Sequence, residues 1–530
     1  MFRAYDQSQA FLLPPSLRDF VDEGHPAHLI NDLVDLLDPR VLEARYGNLG
    51  QPAYHPRLML KVTLYGFTVG VFSSRKLQRA CQEDLAFKYL AGMETPAFKT
   101  FIEFRQRHRD DMKAVFVRTA KLARELGFAR LGAVALDGTK MDANTSKHKA
   151  MSHGRMREEE KRLKAEIDAL LDQAKAADAR EDQEYGPDAD GYRVSEELAR
   201  REQRLKKIKE AKAALEQRER EDHPGVPIDP NKQVSFADHD ARCFTKPGEG
   251  TRYVYNAQAA VDMDSQIIVA NHIEDSVSDA HAAGPALAGM EQGLGALPKE
   301  LVIDAGYGNL DTLERCQERG VTPVSATARE GKHEQESRLD RFSYDGDLDR
   351  FACPHGQVFV FVREHASDGT RTYRTTRPVP CTCGQYETAD GREVIRVGPG
   401  HLAKRALRRT MGEPGRRELY RRHKCTVEPS FGQIKAGMGF RRFFYRGPRN
   451  VRGEWDLVCA AFNLRKLAAP LASTSGHGNA AAPSRRGARG TSALGPHSVR
   501  WAFVPDIRDA SPRHVIRPPT PRVGLLAHAA

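Results

Sequence analysis

Two apolar, β-branched runs in this chain stop at an aspartate: LGAVALDG, ending at Asp137, and ELVIDAG, ending at Asp304. Each reads as a buried strand, because a short apolar run bounded by a turn signal suits a strand covered on both faces. In an open sheet with parallel strands, side chains at the carboxyl ends of neighbouring strands converge on one edge, where ligands bind. Two carboxylates brought that close repel unless a proton or a cation lies between them. A strand-end aspartate before glycine is often only a turn residue; here the pattern occurs twice. It points to an α/β core with a site for a hard cation, Mg²⁺ or Mn²⁺, which takes oxygen ligands and keeps waters.

The segments around these strands set the rest of the organisation. Residues 1–130 read as helical. Leu58, Leu60, Val62, Leu64, Phe67, Val69 and Val71 mark a densely buried helix. Ser73 and Ser74 offer caps for a single helix through RKLQRACQEDLAFKYLAG, closed by Gly92. TPAFKTFIEFRQRHRDDM begins another helix with a basic carboxyl half. Such a bundle suits a helix-turn-helix DNA reader, with Phe101–Arg109 in the major groove, or a plain packing domain.

Beyond Asp137, residues from about 150 to 230 form a charged insertion. Leu163, Ile167, Leu170 and Leu171 make one stripe and Leu198, Leu205, Ile208 and Leu215 a second, which predicts an antiparallel helical hairpin with a solvated charged face. TRYVYNAQAAVDMDSQIIVANHIE is a strand hairpin turning at MDS, where Asp262 and Asp264 shape the turn. A helix, the strand ending at Asp304, another helix and the strand VTPVSATA follow. Residues 340–400 are a Thr-, Val- and Tyr-rich β insertion carrying Cys353, His355, Cys381 and Cys383. C-x-H and C-x-C are tighter than the two-to-four-residue gaps usual for zinc, so reduced thiols are expected there before a structural zinc site. After an amphipathic helix, EWDLVCAAFNLRKLAA, the composition turns to Ser, Gly, Ala, Pro and Arg, and 471–530 read as a disordered tail.

Charge narrows the partner. The 530 residues carry a formal net charge of +11 with 29% charged and 40% hydrophobic residues, a balance that permits nucleic-acid binding. Between His401 and Lys424 stand nine Lys or Arg, against Glu413 and Glu418. Glu428 then sits alone in CTVEPSFGQIKAGMGFRRFFYRG, before Lys435, Arg441, Arg442 and Arg446. A carboxylate among cations is either a salt-bridge partner or a metal ligand whose neighbours hold a polyanion. A third carboxylate would allow two ions, roughly 3.5–4 Å apart, to activate a water and stabilise a leaving oxygen. Phe443 and Phe444 are expected in the core, leaving the arginines for phosphate. MFRAYDQSQA lacks an apolar run behind its charged start, and LKVTLYGFTVGVF is short and holds Lys61, so a cytoplasmic protein without a membrane span is expected. Eight scattered cysteines do not make a disulfide framework.

With these motifs placed, the chain resembles the DDE transposases of bacterial insertion sequences. The resemblance runs from the helical region to about Leu467 and rests on LDGTKMDAN, YNAQAAVD, VIDAGYGN, VEPSFGQIKAGMGFRRFFYRG and the FNLRK helix. It implies a ribonuclease-H-like mixed sheet over residues 131–470, interrupted by the two insertions, behind an all-α domain that binds DNA. The family's first, second and third acids fall on Asp137, Asp304 and Glu428, its metal ligands for Mg²⁺ or Mn²⁺, with two ions expected. The basic residue seven after the glutamate falls on Lys435. Seven and four residues before Glu428, where relatives carry tyrosine and arginine, stand Arg421 and Lys424, so the tyrosine is unfilled.

The resemblance further implies cleavage at the ends of the element and joining of 3′-hydroxyls to target DNA. Lys424, Lys435, Arg441, Arg442 and Arg446 would hold DNA, and the protein would pair as a dimer on it, in the nucleoid when bound. A nuclease that cuts without joining and a non-catalytic, domesticated DNA-binding protein are the alternatives. Pro429 disfavours helical geometry at the residue before it and fits a first turn, so Glu428 is expected at a helix mouth. Asp142 is a rival ligand away from the expected strand end. Asn256 and Gln258 either reach DNA or buttress the sheet.

Overall fold

The computed structural model describes residues 16–22, 24–47, 52–185, 196–248, 250–326, 339, 341–365, 369–376, 387–389, 392–398 and 400–474. Of the tail expected at 471–530, residues 471–474 belong to the closing helix; the rest, with Cys381 and Cys383, lies outside the described residues.

The chain opens with helices α1 (Pro26–Asp35), α2 (Pro39–Glu43), α3 (Pro56–Val69), α4 (Ser74–Glu83), α5 (Leu85–Ala91), α6 (Phe98–Arg107) and α7 (Met112–Glu125). Proline at the first position and Gly70 in the left-handed region (φ 84°) frame α3. The single helix expected over 75–91 is two. Asp84 leaves helical geometry, and its Oδ1 accepts from the N–H groups of Ala86 and Phe87 at 2.9 and 3.1 Å. An aspartate that caps a new start competes with continuation of the old helix. Ser73 stands at the N-cap of α4, but its hydroxyl makes no capping bond.

Strand β1 (Ala133–Asp142) follows, and it does not stop at Asp137 as its composition suggested. After it, β2 (Ala150–Ser152) and β3 (Gln233–Ser235) form a two-stranded base for α8 (His153–Tyr185) and α9 (Glu196–Asp222). Met156, Leu163, Ile208, Ala211, Leu215 and Val234 make a small core of their own in this insertion. Its two helices are stitched by Glu160–Lys212 (3.0 Å) and Glu166–Arg201 (2.9 Å), so the antiparallel pairing expected from the stripes is present, while Leu171 is exposed.

The main sheet comprises β1, β4 (Arg242–Lys246), β5 (Gly250–Asp262), β6 (Ile268–Glu274), β7 (Glu300–Ile303) and β8 (Thr322–Val324). β5 pairs antiparallel with β1 on one edge and with β4 and β6 along the other; β7 is parallel to β1 and β8 parallel to β7. This is a mixed sheet. Asp262 shapes the β5–β6 turn as expected, accepting from Ser265 at 2.8 and 3.0 Å. Helices α10 (Ala283–Leu294) and α11 (Leu310–Glu318) connect β6 to β7 and β7 to β8.

The β insertion is a separate sheet, β9 (Ser343–Asp345), β10 (Arg350–Ala352), β11 (Val358–Glu364), β12 (Arg371–Thr375), β13 (Glu387–Ala389) and β14 (Arg392–Val397), in the order β13-β14-β12-β11-β10-β9. Phe351, Phe359, Tyr373 and Ile395 fill its core. The chain closes with α12 (His401–Gly412), α13 (Arg416–Gly432), a π-helical turn (Gln433–Gly437) and α14 (Pro448–Thr474).

Helix α14 joins the opening helices to the sheet. Asn463 clamps the β6 backbone, accepting from the N–H of Ile268 at 2.8 Å and donating to its carbonyl at 2.9 Å. The buried Trp455 indole donates to the Gln258 carbonyl at 3.0 Å, and Arg465 reaches the Thr68 carbonyl on α3 at 2.9 Å. Phe67, Phe101 and Phe116 from the opening helices share one hydrophobic core with Val134, Ile303 and Phe462. On α6, Phe101, Phe104 and Arg105 are buried; Arg105 donates to the Phe72 carbonyl and its guanidinium covers the Phe67 ring.

Gly453 is where α14 crosses the end of α6: a Cβ there would run into the Arg109 carbonyl. Helix backbones this close leave no room for a methyl. Gly453→Ala is expected to cost about 1–3 kcal/mol, read as a lowered midpoint in urea at unchanged slope. A midpoint equal to that of the parent would mean that this crossing is not tight in solution.

Candidate active site

The ladder between β1 and β7 runs Ala133↔Glu300 to Leu136↔Ile303 and then ends, because β7 is four residues long and β1 is ten. Asp137 and Asp304 are the next residues on each chain. They lie side by side where β7 turns away, Asp304 opening a short 3₁₀ turn at Ala305–Tyr307. The two aspartates predicted from the sequence are thus brought together, by the end of the pairing and not by the end of β1.

Burial pushes the Asp137 carboxyl up to about 6; the Gly138 N–H and His423 pull it back, and Asp304 and Asp279 push further. The Gly138 N–H donates to Asp137 Oδ1 at 2.7 Å. Asp304 is more open, its side chain 43% exposed. Two carboxylates of which one resists ionisation form a pair that a divalent cation would neutralise.

The floor under this pair is polar and closed. Asp279 Oδ1 accepts from Lys140 Nζ (2.9 Å), Asn256 Nδ2 (2.8 Å) and Gln258 Nε2 (2.7 Å), and Tyr307 donates to Gln258 Oε1 at 2.8 Å. Asn256 and Gln258 are buried, so they buttress the sheet. A Cβ at Gly138 would collide with Gln258 Nε2, which explains the glycine after the aspartate. Asp142, the rival acid, instead pairs with Arg252 at 3.3 Å further along β1.

Helix α13 covers the vacated edge of β1. His423, 2% exposed, donates from Nε2 to the Leu136 carbonyl at 3.1 Å, at the last step of the ladder, and holds Nδ1 3.6 Å from Asp304 Oδ1. Nδ1 has no hydrogen-bond partner. Tyr420 OH lies 3.5 Å from the same Oδ1. Neither residue was read as part of the site. The available signal was spacing: both recur at helical intervals on the buried face with Val427 and Phe431.

Glu428 lies within α13, not at its mouth. The helix runs through Pro429 because tertiary packing of its apolar face overrides the local proline preference. Glu428 is exposed and shares a stripe with Lys424 and Lys435, since offsets of four and seven residues return close to one face. Lys435 reaches across to Thr139 Oγ1 at 2.5 Å, on the same side of β1 as Asp137. Among the described residues no three His, Cys, Asp or Glu side chains are grouped to hold an ion, so Glu428 is not grouped with the aspartate pair. Cys353 is buried and His355 exposed on the β insertion.

The basic segment after α13 continues along β1. Phe443 N–H donates to the Asp142 carbonyl at 2.9 Å, Arg442 to that of Ala143 at 3.3 Å, and Arg446 to that of Asn144 at 2.9 Å. Arg441 donates to the Lys435 carbonyl at 3.2 Å. Phe443 is in the core, but Phe444 is 41% exposed, because its strand-like backbone sends alternate side chains to opposite sides. Glu454, buried in α14, accepts from the N–H groups of Phe444 (3.0 Å) and Tyr445 (3.2 Å) and fixes the segment; burial pushes its carboxyl up to about 7.

Because Asp137 holds its proton to about pH 6 in the fold while an unfolded aspartate releases it near 4, the metal-free protein loses stability as pH rises through that window. Asp137→Asn removes the penalty and keeps the acceptor for Gly138. Its melting temperature, measured with chelator, is expected to exceed the parent's above pH 6 by the equivalent of about 2 kcal/mol and to match it near pH 4. A variant less stable than the parent at pH 7 would contradict this electrostatic picture.

The chain matches two family models. One, described as Transposase domain (DUF772), covers residues 15–107; the other, Transposase DDE domain, covers 222–464 and so includes Asp304 and Glu428. Asp137 precedes the second match, yet β1 is the strand against which β5 and β7 pair. No curated protein sequence matches the chain. Among solved structures, the piggyBac transposase synaptic complex with hairpin DNA aligns with 86% of this chain and 77% of that chain, at 8% identity and a TM-score of 0.31, too loose to place residues. No helix among the described residues is long and apolar enough to cross a membrane. With one transposase model on the opening helices and another on the sheet and its closing helices, the chain belongs to the DDE transposases of the insertion-sequence type.

Proposed function

We propose that this DNA transposase cleaves the ends of its element and joins the freed 3′-hydroxyls to target DNA, using Asp137, Asp304 and Glu428 as ligands of Mg²⁺ or Mn²⁺ on a sheet of ribonuclease-H type. The observation that carries this reading is the adjacency of Asp137 and Asp304 at the last rung of the β1–β7 ladder. The strand arrangement, antiparallel from β1 through β6 and then parallel at β7 and β8, supports the sheet type. The donor set fits a divalent cation: two adjoining carboxylates, one of them made costly to ionise by burial, beside an orphaned buried imidazole nitrogen. When bound, the ions would supply an activated oxygen nucleophile and neutralise charge developing on the leaving oxygen.

The protein's own groups do the positioning. Asp137 is held by the Gly138 amide, and Asp304 faces His423 and Tyr420. Glu428, on the exposed stripe of α13 with Lys424 and Lys435, is the third carboxylate of this reading and would have to turn toward the pair to join it. Lys435, above Thr139, and Lys424, Arg441, Arg442 and Arg446 would hold the phosphates on either side of the cut. Cutting both ends of one element calls for two such sites, hence a dimer on DNA.

Asp137→Asn, Asp304→Asn and Glu428→Gln are each expected to lower cleavage of end DNA at least 1000-fold, in line with losing a ligand to the catalytic ion, while leaving DNA binding within about threefold. Cleavage is followed on labelled duplex with Mg²⁺ or Mn²⁺, and joined product on a supercoiled target. Full activity in any one variant removes that residue from the metal site; cleavage without joined product would rule out strand transfer.

A further inference from the structure

We infer that the root of the helical hairpin is a second phosphate-binding site, holding DNA about seven base pairs from the cut. A cleft of about 720 Å³ opens there between β2, α8, α9 and the segment after α13. Six of its lining residues are basic or imidazole side chains: His148, Lys149, Arg155, Arg204, Lys207 and Arg446; no carboxylate lines it. All six are exposed. Arg204 meets Glu159 at 2.9 Å outside the lining, and Arg446 donates to the Asn144 carbonyl at 2.9 Å. Lys149, Arg155 and Lys207 have no carboxylate partner among the described residues. Cations gathered around a concave surface raise one another's energy unless an anion fills it, and such a cleft focuses the field on an incoming polyanion.

Placement tells which polyanion. From Asp137 the basic groups track β1: Lys435 at Thr139, Arg442 at Ala143, Arg446 at Asn144, and then the cleft beyond. At about 3.3 Å per extended residue, the seven steps from Asp137 to Asn144 span at most roughly 23 Å. Base pairs repeat every ~3.4 Å along the duplex axis, so a duplex with its scissile phosphate at the aspartates would bring backbone phosphates about seven base pairs away over the cleft. The charged insertion, whose outer face the sequence marks as merely solvated, thus has one side turned to the substrate. The cleft as a phosphate site rests on the chain acting on DNA; its distance from the cut rests in addition on the aspartate pair proposed above as the catalytic centre.

The test uses the full chain and a fluorescein-labelled 40-base-pair duplex of arbitrary sequence, read by anisotropy from 50 to 200 mM salt. Each phosphate contact contributes about 0.9 to the slope of log K against log salt, so Lys149→Gln/Arg155→Gln/Lys207→Gln is expected to flatten the slope by about 2–3. Lys161→Gln/Lys206→Gln/Lys209→Gln, exposed on the same helices outside the cleft lining, removes equal charge and is expected to leave the slope within about 0.5 of the parent. Thermal melts of both variants are expected to match the parent, because exposed cations contribute little to stability. An unchanged slope in the cleft variant, or equal flattening in both, overturns the site. A parent chain that does not bind the duplex at 50 mM salt overturns instead the premise that this surface engages DNA.

Discussion

Strand β1 is longer than the strand that lies parallel to it, and most of the site depends on that mismatch. An unpaired strand edge next to a hydrophobic core cannot be left without hydrogen-bond partners. The chain covers the vacated edge from its carboxyl half: His423 donates to the Leu136 carbonyl and the Phe443 N–H to that of Asp142, while Lys435 donates to the Thr139 hydroxyl and Arg446 to the Asn144 carbonyl just past the strand. The groups that complete the sheet are therefore the groups that surround the aspartates.

The second consequence concerns cooperativity. Helix α14 makes the clamp on β6, carries the tryptophan under β5 and touches α3 and the end of α6. It also holds Glu454, whose carboxylate fixes the backbone of the basic segment. A side chain raised to about pH 7 by burial is costly unless its hydrogen bonds are made. The opening helices, the sheet and the basic segment are thus held through one helix, so disturbance at any of them reaches the others.

The polar floor under the site has a different character. Lys140, Asn256, Gln258, Asp279 and Tyr307 satisfy one another around Gly138, a closed network of the kind that specifies a single arrangement. It ties the YNAQA strand to the turn after Asp304, which keeps the two aspartates in register. The glycine is required by the close approach of Gln258 and not by its own backbone angles.

Much of this was legible in residues 131–324. Apolar runs ending in aspartate marked the two central strands, the MDS turn marked the β5–β6 hairpin, and leucine spacing marked the α8–α9 pair, because burial on one or two faces writes directly into periodicity. Glu428 and Pro429 were misread as a helix start, since a local proline preference is weaker than the packing of His423, Val427 and Phe431 against the sheet. Asp84 broke a helix whose apolar period ran straight through it. By itself the sequence determined which segments are strands and helices and which acids are candidates. Only the tertiary structure decided that β7 stops beside Asp137, that His423 and Tyr420 reach Asp304 while Glu428 stays exposed on α13, and that the hairpin root and Arg446 line one cleft. Those relations depend on where separate segments end against one another, and no local pattern carries that information.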